Sequence, residues 1–489
     1  FLDGAIHHAP FAERLEEAIR KDPALADLTN DKGQRAIDLA CLECRRAMQK
    51  ALFFLGRYDV DKTPPLHFSA TAAVLGATDY GDDDITSRPR YALKAMRDPS
   101  AVLAELEGRV GLDSQFVVAV VGVHVSEGAE DVHQIVDAAR KLESVDVHEN
   151  ADLGSLPKLL AQRARGEGDD ASKAGSDAKR FENYKYVVVL ELADETLSRA
   201  LTHGGIAAAD FLQIRKITRD LAVALDHLHT KDRIHADLKP LNVVRVGTSW
   251  QLIDLDVSCA TDGPFGDKKP SSGYCPPEMA RVLLNATKEG KLVTADLKTY
   301  TASLAYDLWS LGVVLFHLVT GTPLWKTDNH DDVSSRALEK LATWTSRQAA
   351  TEFGRAVLYP SDDQRSALDL IAKLLEPNPT LRLENFPSMQ AVRAHAFVST
   401  GTLVAEKLKE LKKQSDDILV GVNAVRALSE EHRDELRKTR STLMRAIFEA
   451  TEVSTPTAFV ILKEKLPSGE ARAELTVNDD GTGFSVEGE

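Results

Sequence analysis

The sequence predicts an α+β protein: a small β-rich part leads into a larger helical part, with a helical segment before them and a long charged helix after. Three observations predict it. Strand-like apolar runs cluster between residues 66 and 192, helical spacing takes over as far as Phe397, and charged helical patterns flank both. At 489 residues the chain is too long for one ordinary core, so two or three domains are expected.

Residues 1–58 read as helices joined by a polar turn. Asp22–Gly33, followed by Ala36-Ile37-Asp38-Leu39-Ala40, looks like part of an ankyrin repeat, in which a glycine-bearing β-turn leads into a short helix. One such unit cannot bury its own face. A truncated array is therefore one reading, and a plain helical cap on the next domain is the other. From about Leu66 the period changes. Residues 67–80, 90–96 and 116–124 read as strands, with a helix over 99–110. Residues 150–182 include a Gly- and Ser-rich polar stretch and read as a disordered insertion, after which Tyr186–Leu192 resumes the sheet.

The main domain is placed at 66–398. Residues 402–450 are a charged helical pattern with apolar positions such as Val404, Leu408, Leu411 and Ile418. This suits a coiled coil or docking on the preceding domain, so a helix-mediated protein partner is one expectation. Residues 455–489 suggest the start of a small β-containing module. The first residue is Phe1 and the last residues read as a strand, so the chain is expected to be a fragment.

Composition narrows the function classes. Apolar residues make up 43% and charged residues 28%, as in globular proteins. The longest apolar stretches, Phe116–Val123 and Leu311–Phe316, fall far short of the ~20 residues that span a bilayer, so no membrane span is expected. The net charge of −15 argues against nucleic acid as a partner, because phosphate binding wants a basic face. That charge and four cysteines fit a cytoplasmic setting without a disulfide framework. Cys41 and Cys44 form a lone C-x-x-C in a helical pattern, which reads as two small helix residues.

The chemistry sits in Ile234-His235-Ala236-Asp237-Leu238-Lys239-Pro240-Leu241-Asn242 and Leu252-Ile253-Asp254-Leu255-Asp256. These are polar clusters flanked by apolar pairs. Asp237, Asn242 and Asp254 could converge from a loop and the next hairpin. Two carboxylates and an amide oxygen make a hard-oxygen site suited to Mg²⁺ and the phosphate it carries. An ordinary polar turn before a hairpin accounts for any one of these residues, but not for all of them with their surroundings.

The stretch resembles the protein-kinase catalytic loop, H-R-D-L-K-x-x-N, followed by the metal-binding D-F-G. Tyr91-Ala92-Leu93-Lys94 is similar to that family's V-A-I-K strand, and Leu103–Glu107 to the helix that supplies the lysine's carboxylate partner. Downstream, Tyr274–Glu278, Asp307–Gly312 and Pro377–Arg382 with His395-Ala396-Phe397 resemble its later segments. Seven segments stand in the family's order. The resemblance implies the bilobal protein-kinase fold, with a small β-rich N-lobe and a large helical C-lobe.

It also implies roles. Lys94 would bind ATP phosphates and pair with Glu105, or with its competitor Glu107. Asp237 would take the proton of the substrate hydroxyl, Lys239 would reach the γ-phosphate, and Asn242 and Asp254 would hold Mg²⁺. Ser271 would touch Lys239 and Asp237. Glu278 and Arg382 would form a buried ion pair, and Asp307 would tie down the catalytic-loop backbone. Lys239, two residues after the base, is the serine/threonine pattern.

Three positions depart from the family. No G-x-G-x-x-G precedes Lys94, and the corresponding stretch is taken as Ala72–Gly81. Asp256 stands where D-F-G has Gly, and Ala236 stands where H-R-D has Arg. The expectation is an ATP- and Mg²⁺-dependent protein serine/threonine kinase acting on protein substrates. The alternatives are a pseudokinase scaffold and an adaptor whose ends carry the function.

Overall fold

The structure, a computed structural model, describes residues 9–21, 29–32, 34–69, 71–81, 88–164, 179–266, 268–289, 297–399, 474–477 and 484–487. The pattern over 402–450 lies outside them. The chain divides into Phe1–Ala405 and Glu406–Glu489. In the second unit, β-strands Glu474–Val477 and Phe484–Glu487 form an antiparallel hairpin, as the strand-like reading of this end expects.

In the first unit, helices α1 (Ala9–Lys21), α2 (Ala36–Leu39) and α3 (Leu42–Leu52) come first. Ile19, Ile37 and Met48 form one apolar cluster with Tyr80, and Arg35 pairs with Asp59 at 2.9 Å. These helices therefore cap the sheet that follows.

That sheet has seven strands: β1 (Tyr58–Val60), β2 (His67–Phe68), β3 (Ala72–Asp79), β4 (Arg90–Met96), β5 (Val120–Ser126), β6 (Asp146–Ala151) and β7 (Tyr186–Glu191). Their order is β1-β3-β4-β7-β5-β6, with β2 also on β3. The sheet begins at Tyr58, before the boundary expected at residue 66, because Tyr58 pairs with Asp79 and Val60 with Ala77. β5 and β6 are parallel, joined through α5 (Val132–Arg140); the other pairs are antiparallel.

The run Tyr186-Val-Val-Val-Leu190 is apolar on both faces because the central strand is covered on both. Val187 and Val189 pack with Leu153, Leu156, Leu160 and Phe181. Tyr186, Val188 and Leu190 pack with α4 (Pro99–Glu107) and α5 through Val102, Leu106, Ile135 and Ala139. This corrects the expected disordered insertion at 150–182. Residues 156–164 form helix α6 (Leu156–Ala164), whose apolar side closes one face of the sheet. The Gly- and Ser-rich residues 165–178 lie outside the described residues.

The larger lobe is built on helices that include α7 (Leu197–His203), α8 (Phe211–His229), α9 (Pro277–Glu289) and α10 (Leu304–Thr320). α10 is buried along nearly its whole length, and its ends are fixed by Ser303, which caps Ala305 N–H, and by Gly321 at φ 74°. Around it lie α11 (Ser335–Ala342), α12 (Ser346–Ala356), α13 (Asp362–Leu374), α14 (Pro379–Asn385) and α15 (Met389–Ala394). Short strands β8 (Glu195–Thr196), β9 (Arg233–Ile234), β10 (Val243–Val246) and β11 (Ser249–Leu252) frame the polar loops. Among the described residues, no helix is long and apolar enough to cross a membrane.

Candidate active site

Lys94 lies on β4, paired across both neighbours with Val74 and Val188. A lysine at the centre of a sheet needs partners, and it has two. Its Nζ donates to Glu105 Oε2 at 3.1 Å and to Asp254 Oδ1 at 2.9 Å. Glu105 is fully buried on α4 and is also met by Arg109 at 2.8 Å; Glu107 is exposed. Burial alone would lower the Lys94 ammonium, but Asp254, Glu105 and Asp256 outweigh it and hold it above the ordinary lysine value. Burial would likewise raise Asp254; Lys94, Lys268 and Lys239 instead hold its carboxyl well below the usual range.

The loop after β9 forms the second cluster. His235 is buried, and its ring ties two segments together: Asp237 N–H donates to its Nδ1 at 3.2 Å, and its Nε2 lies 3.2 Å from Ile253 O. Asn242 Nδ2 donates to Asp237 O at 2.9 Å and to Asp237 Oδ2 at 3.1 Å. Ser271 N–H donates to Asp237 Oδ1 at 2.9 Å, while Lys239 Nζ donates to Ser271 Oγ at 2.8 Å and lies 3.2 Å from Asp237 Oδ2. Burial opposes the Lys239 charge, but Asp237 and Asp331 outweigh it and raise its pKa.

Two of the described non-glycine residues with positive φ lie here. Ala236 has φ 67° and Asp254 φ 64°, in the left-handed region that non-glycine residues seldom occupy. Asp307, fully buried on α10, accepts from His235 N–H at 2.9 Å and Ala236 N–H at 3.0 Å, and meets His229 Nε2 at 2.9 Å. Arg382, also fully buried, donates to Glu278 Oε1 at 2.9 Å. Leu255 is buried against the end of α4, where a Cβ on Gly108 would come within 2.9 Å of Leu255 Cβ.

The six sequence-nominated residues thus lie in two linked clusters: Lys94, Glu105 and Asp254, then Asp237, Lys239 and Asn242. The roof differs from expectation. Ala72–Asp79, taken as the stretch over the phosphates, is strand β3 itself, because its residues pair with β4. β2 and β3 are antiparallel neighbours, and the sequence between them, Ser69-Ala70-Thr71, has no glycine.

Three neighbours were not legible in the motifs. Lys268 forms an ion pair with Asp256. Burial and Asp254 push the Asp256 carboxyl up to about 6 against that pull. Asp331 lies 3.2 Å from Lys239. His67, on the roof strand, feels Asp254, Lys94, Lys239 and Asp331, though desolvation is the main reason its pKa falls below the ordinary histidine value. Each comes from a segment whose local pattern carries no signal of the contact.

This bilobal arrangement, with a charged cleft carried by strand, helix and loop, is consistent with the protein-kinase fold, and the comparisons agree. Residues 178–398 match the protein kinase domain model. Over that stretch the chain is similar to eukaryotic protein kinases. It is 30% identical over 206 residues to Aurora kinase A-B of Xenopus laevis, covering 42% of this chain and 40% of that one. It is 28% identical to Aurora kinase B of Mus musculus over 185 residues, 37% and 43% of the two chains. With MAP kinase-activated protein kinase 5 of Mus musculus, identity is 22% over 277 residues, 55% of each chain. The chain spans about half the length of such relatives or less. The family match begins after Lys94 and Glu105, so these two rest on strand pairing and ion-pair geometry.

Proposed function

We propose that this chain is an ATP-dependent protein serine/threonine kinase, its domain beginning with the sheet at Tyr58 and ending near residue 398. The observation that carries the reading is Lys94 held between Glu105 and Asp254, at 3.1 and 2.9 Å. A buried cation fixed by one helix carboxylate and one loop carboxylate is a positioned phosphate ligand.

The residues present suit Mg²⁺. Asn242 spends its Nδ2 on Asp237, which leaves its amide oxygen as a ligand atom. Asp254 gives one oxygen to Lys94 and has a second to offer. Two hard oxygens, with waters completing the shell, are a usual Mg²⁺ set. Mg²⁺ bound there with ATP would supply charge neutralisation for the transferring phosphoryl group.

The chain's own residues do the rest. Asp237, its carboxylate oriented by Ser271 N–H and Asn242 Nδ2, accepts the proton from a serine or threonine hydroxyl. Lys239, anchored by Ser271 Oγ, places a cation beside that carboxylate. Positioning and charge account for most of the catalysis, and no covalent enzyme intermediate is required.

A second reading, a scaffold that binds nucleotide without transferring it, is favoured by the glycine-free connection at 69–71 and by Asp256. Transfer of label from γ-labelled ATP to a generic acceptor protein decides between them, with Asp237→Ala as control. Labelled phosphoserine or phosphothreonine that disappears in the variant supports the kinase. A melting shift with Mg·ATP but no transfer supports the scaffold, and neither effect leaves the adaptor reading.

A further inference from the structure

On the larger lobe, α11, α12 and the loop before them enclose a groove of about 650 Å³, the size of a ligand site. Trp325 and Trp344 line it, their rings edge to face at 5.3 Å. The indole N–H groups of both are buried without a hydrogen-bond partner, and Trp344 is only 5% exposed.

The rim is basic. Lys326, Arg336, Lys340 and Arg355 line the groove against a single carboxylate, Glu352, which pairs with Arg355 at 2.8 Å. On a chain of net charge −15, such a cluster is a local reversal of sign. The acidic loop between α10 and α11 does not neutralise it, because its carboxylates are engaged elsewhere. Asp331 lies on Lys239, Asp332 pairs with Lys269 at 2.6 Å, and Asp328 caps His330 N–H at 2.8 Å.

The groove shares part of its wall with the segment that follows Ser271. Leu324 and Trp325 line both it and a small pocket against Gly273 and Tyr274. Those residues follow Ser271, which touches Asp237 and Lys239. We infer that this groove docks an acidic segment of the protein substrate, its carboxylates on the basic rim of Lys326, Arg336 and Lys340 and its apolar side chains against the tryptophan rings. The inference rests on the kinase reading and gives that site a substrate class.

The test uses the full chain and two synthetic peptides with one acceptor serine, one carrying a run of glutamates and the other glutamine in their place. Binding of the fluorescein-labelled peptides is read by anisotropy, independently of turnover. The glutamate peptide is expected to bind at least tenfold more tightly. The double variant Arg336→Glu with Lys340→Glu, at exposed positions, should abolish that preference. In phosphotransfer it should raise KM for the glutamate peptide about tenfold while leaving kcat, and KM for the glutamine peptide, within twofold.

A preference unchanged by the double variant overturns the proposal. So does polyuridylate binding at least as tightly as the glutamate peptide, which would make the groove a general polyanion surface. Displacement of the glutamate peptide by a peptide of residues 478–489 at lower concentration would assign the groove to this chain's own acidic end and also overturn it. If the glutamate peptide binds through the rim but neither peptide is phosphorylated, the docking surface stands and the kinase reading falls.

Discussion

Replacing Asp307 by Asn keeps the shape of the side chain and removes its charge and half of its acceptors. In the native loop, Oδ1 accepts from Ala236 N–H at 3.0 Å, while Oδ2 accepts from His235 N–H at 2.9 Å and faces His229 Nε2 at 2.9 Å. An amide in the same place must turn its NH₂ group toward one of these donors, so at least one buried N–H faces another. A hydrogen bond to a charged group contributes ~1.5–3 kcal/mol, and a stranded buried N–H costs ~1–3 kcal/mol. The sum is a loss of about 2.5–6 kcal/mol. Urea unfolding of the nucleotide-free protein reads that loss directly. Ala236, at φ 67°, loses the acceptor that holds it there, and Asp237 moves with it. A displacement of ~1 Å at a catalytic group costs about a hundredfold in rate. The Asp307→Asn variant should therefore retain its Mg·ATP melting shift, because Lys94 and Asp254 are untouched, while kcat falls ten- to a hundredfold. Stability within 0.5 kcal/mol of the parent, together with kcat within about twofold, would refute the assignment of Asp307 as the anchor of this loop.

Three further outcomes are expected. Arg382→Met strands Glu278 and should cost about 3–5 kcal/mol, or roughly 4–7 °C in Tm by calorimetry for a domain of this length; a change under 2 °C would mean the pair contributes little. His124 is buried beside Tyr58 and stacked on His148 at 4.6 Å; burial first, then His148 and Arg57, push its pKa down to about 3 from 6.5. The unfolded chain then binds the extra proton, so stability present above pH 6.5 is lost as pH falls, about 2 kcal/mol by pH 5. His124→Gln should remove that part of the slope in urea titrations at pH 7.5 and 5, and an unaltered slope would discount it. Asp256→Gly should change kcat less than tenfold but leave the Lys268 cation unbalanced near Asp254, raising the Mg²⁺ concentration needed for half-maximal rate. Lys268→Met should lower that concentration, and shifts of both variants in the same direction would contradict the pairing.

What the sequence determined by itself is the order of chemical segments and the lobes that carry them. Asp237, Lys239, Asn242 and Asp254 fall within short runs whose spacing fixes loop, hairpin and strand locally, so their meaning survives without coordinates. Lys94 and Glu105 were legible only through the resemblance of Tyr91–Lys94 and Leu103–Glu107 to the family's strand and helix, and their ion pair is a finding of the structure. Between Glu105 and Glu107, only tertiary structure decided: the sequence places both on one helix, and the packing of α4 buries one and exposes the other. The same holds for α6, where a polar neighbourhood masked three apolar positions whose purpose is to cover Val187 and Val189. The place of the β2–β3 connection was not legible, because register is set by pairing between strands, and the nearest glycines, Gly76 and Gly81, belong to β3 and the residues after it. Lys268 against Asp256, Asp331 against Lys239, and the paired tryptophans of the basic groove join residues far apart in the chain. Such contacts arise from how the larger lobe closes around α10, and no local pattern encodes them.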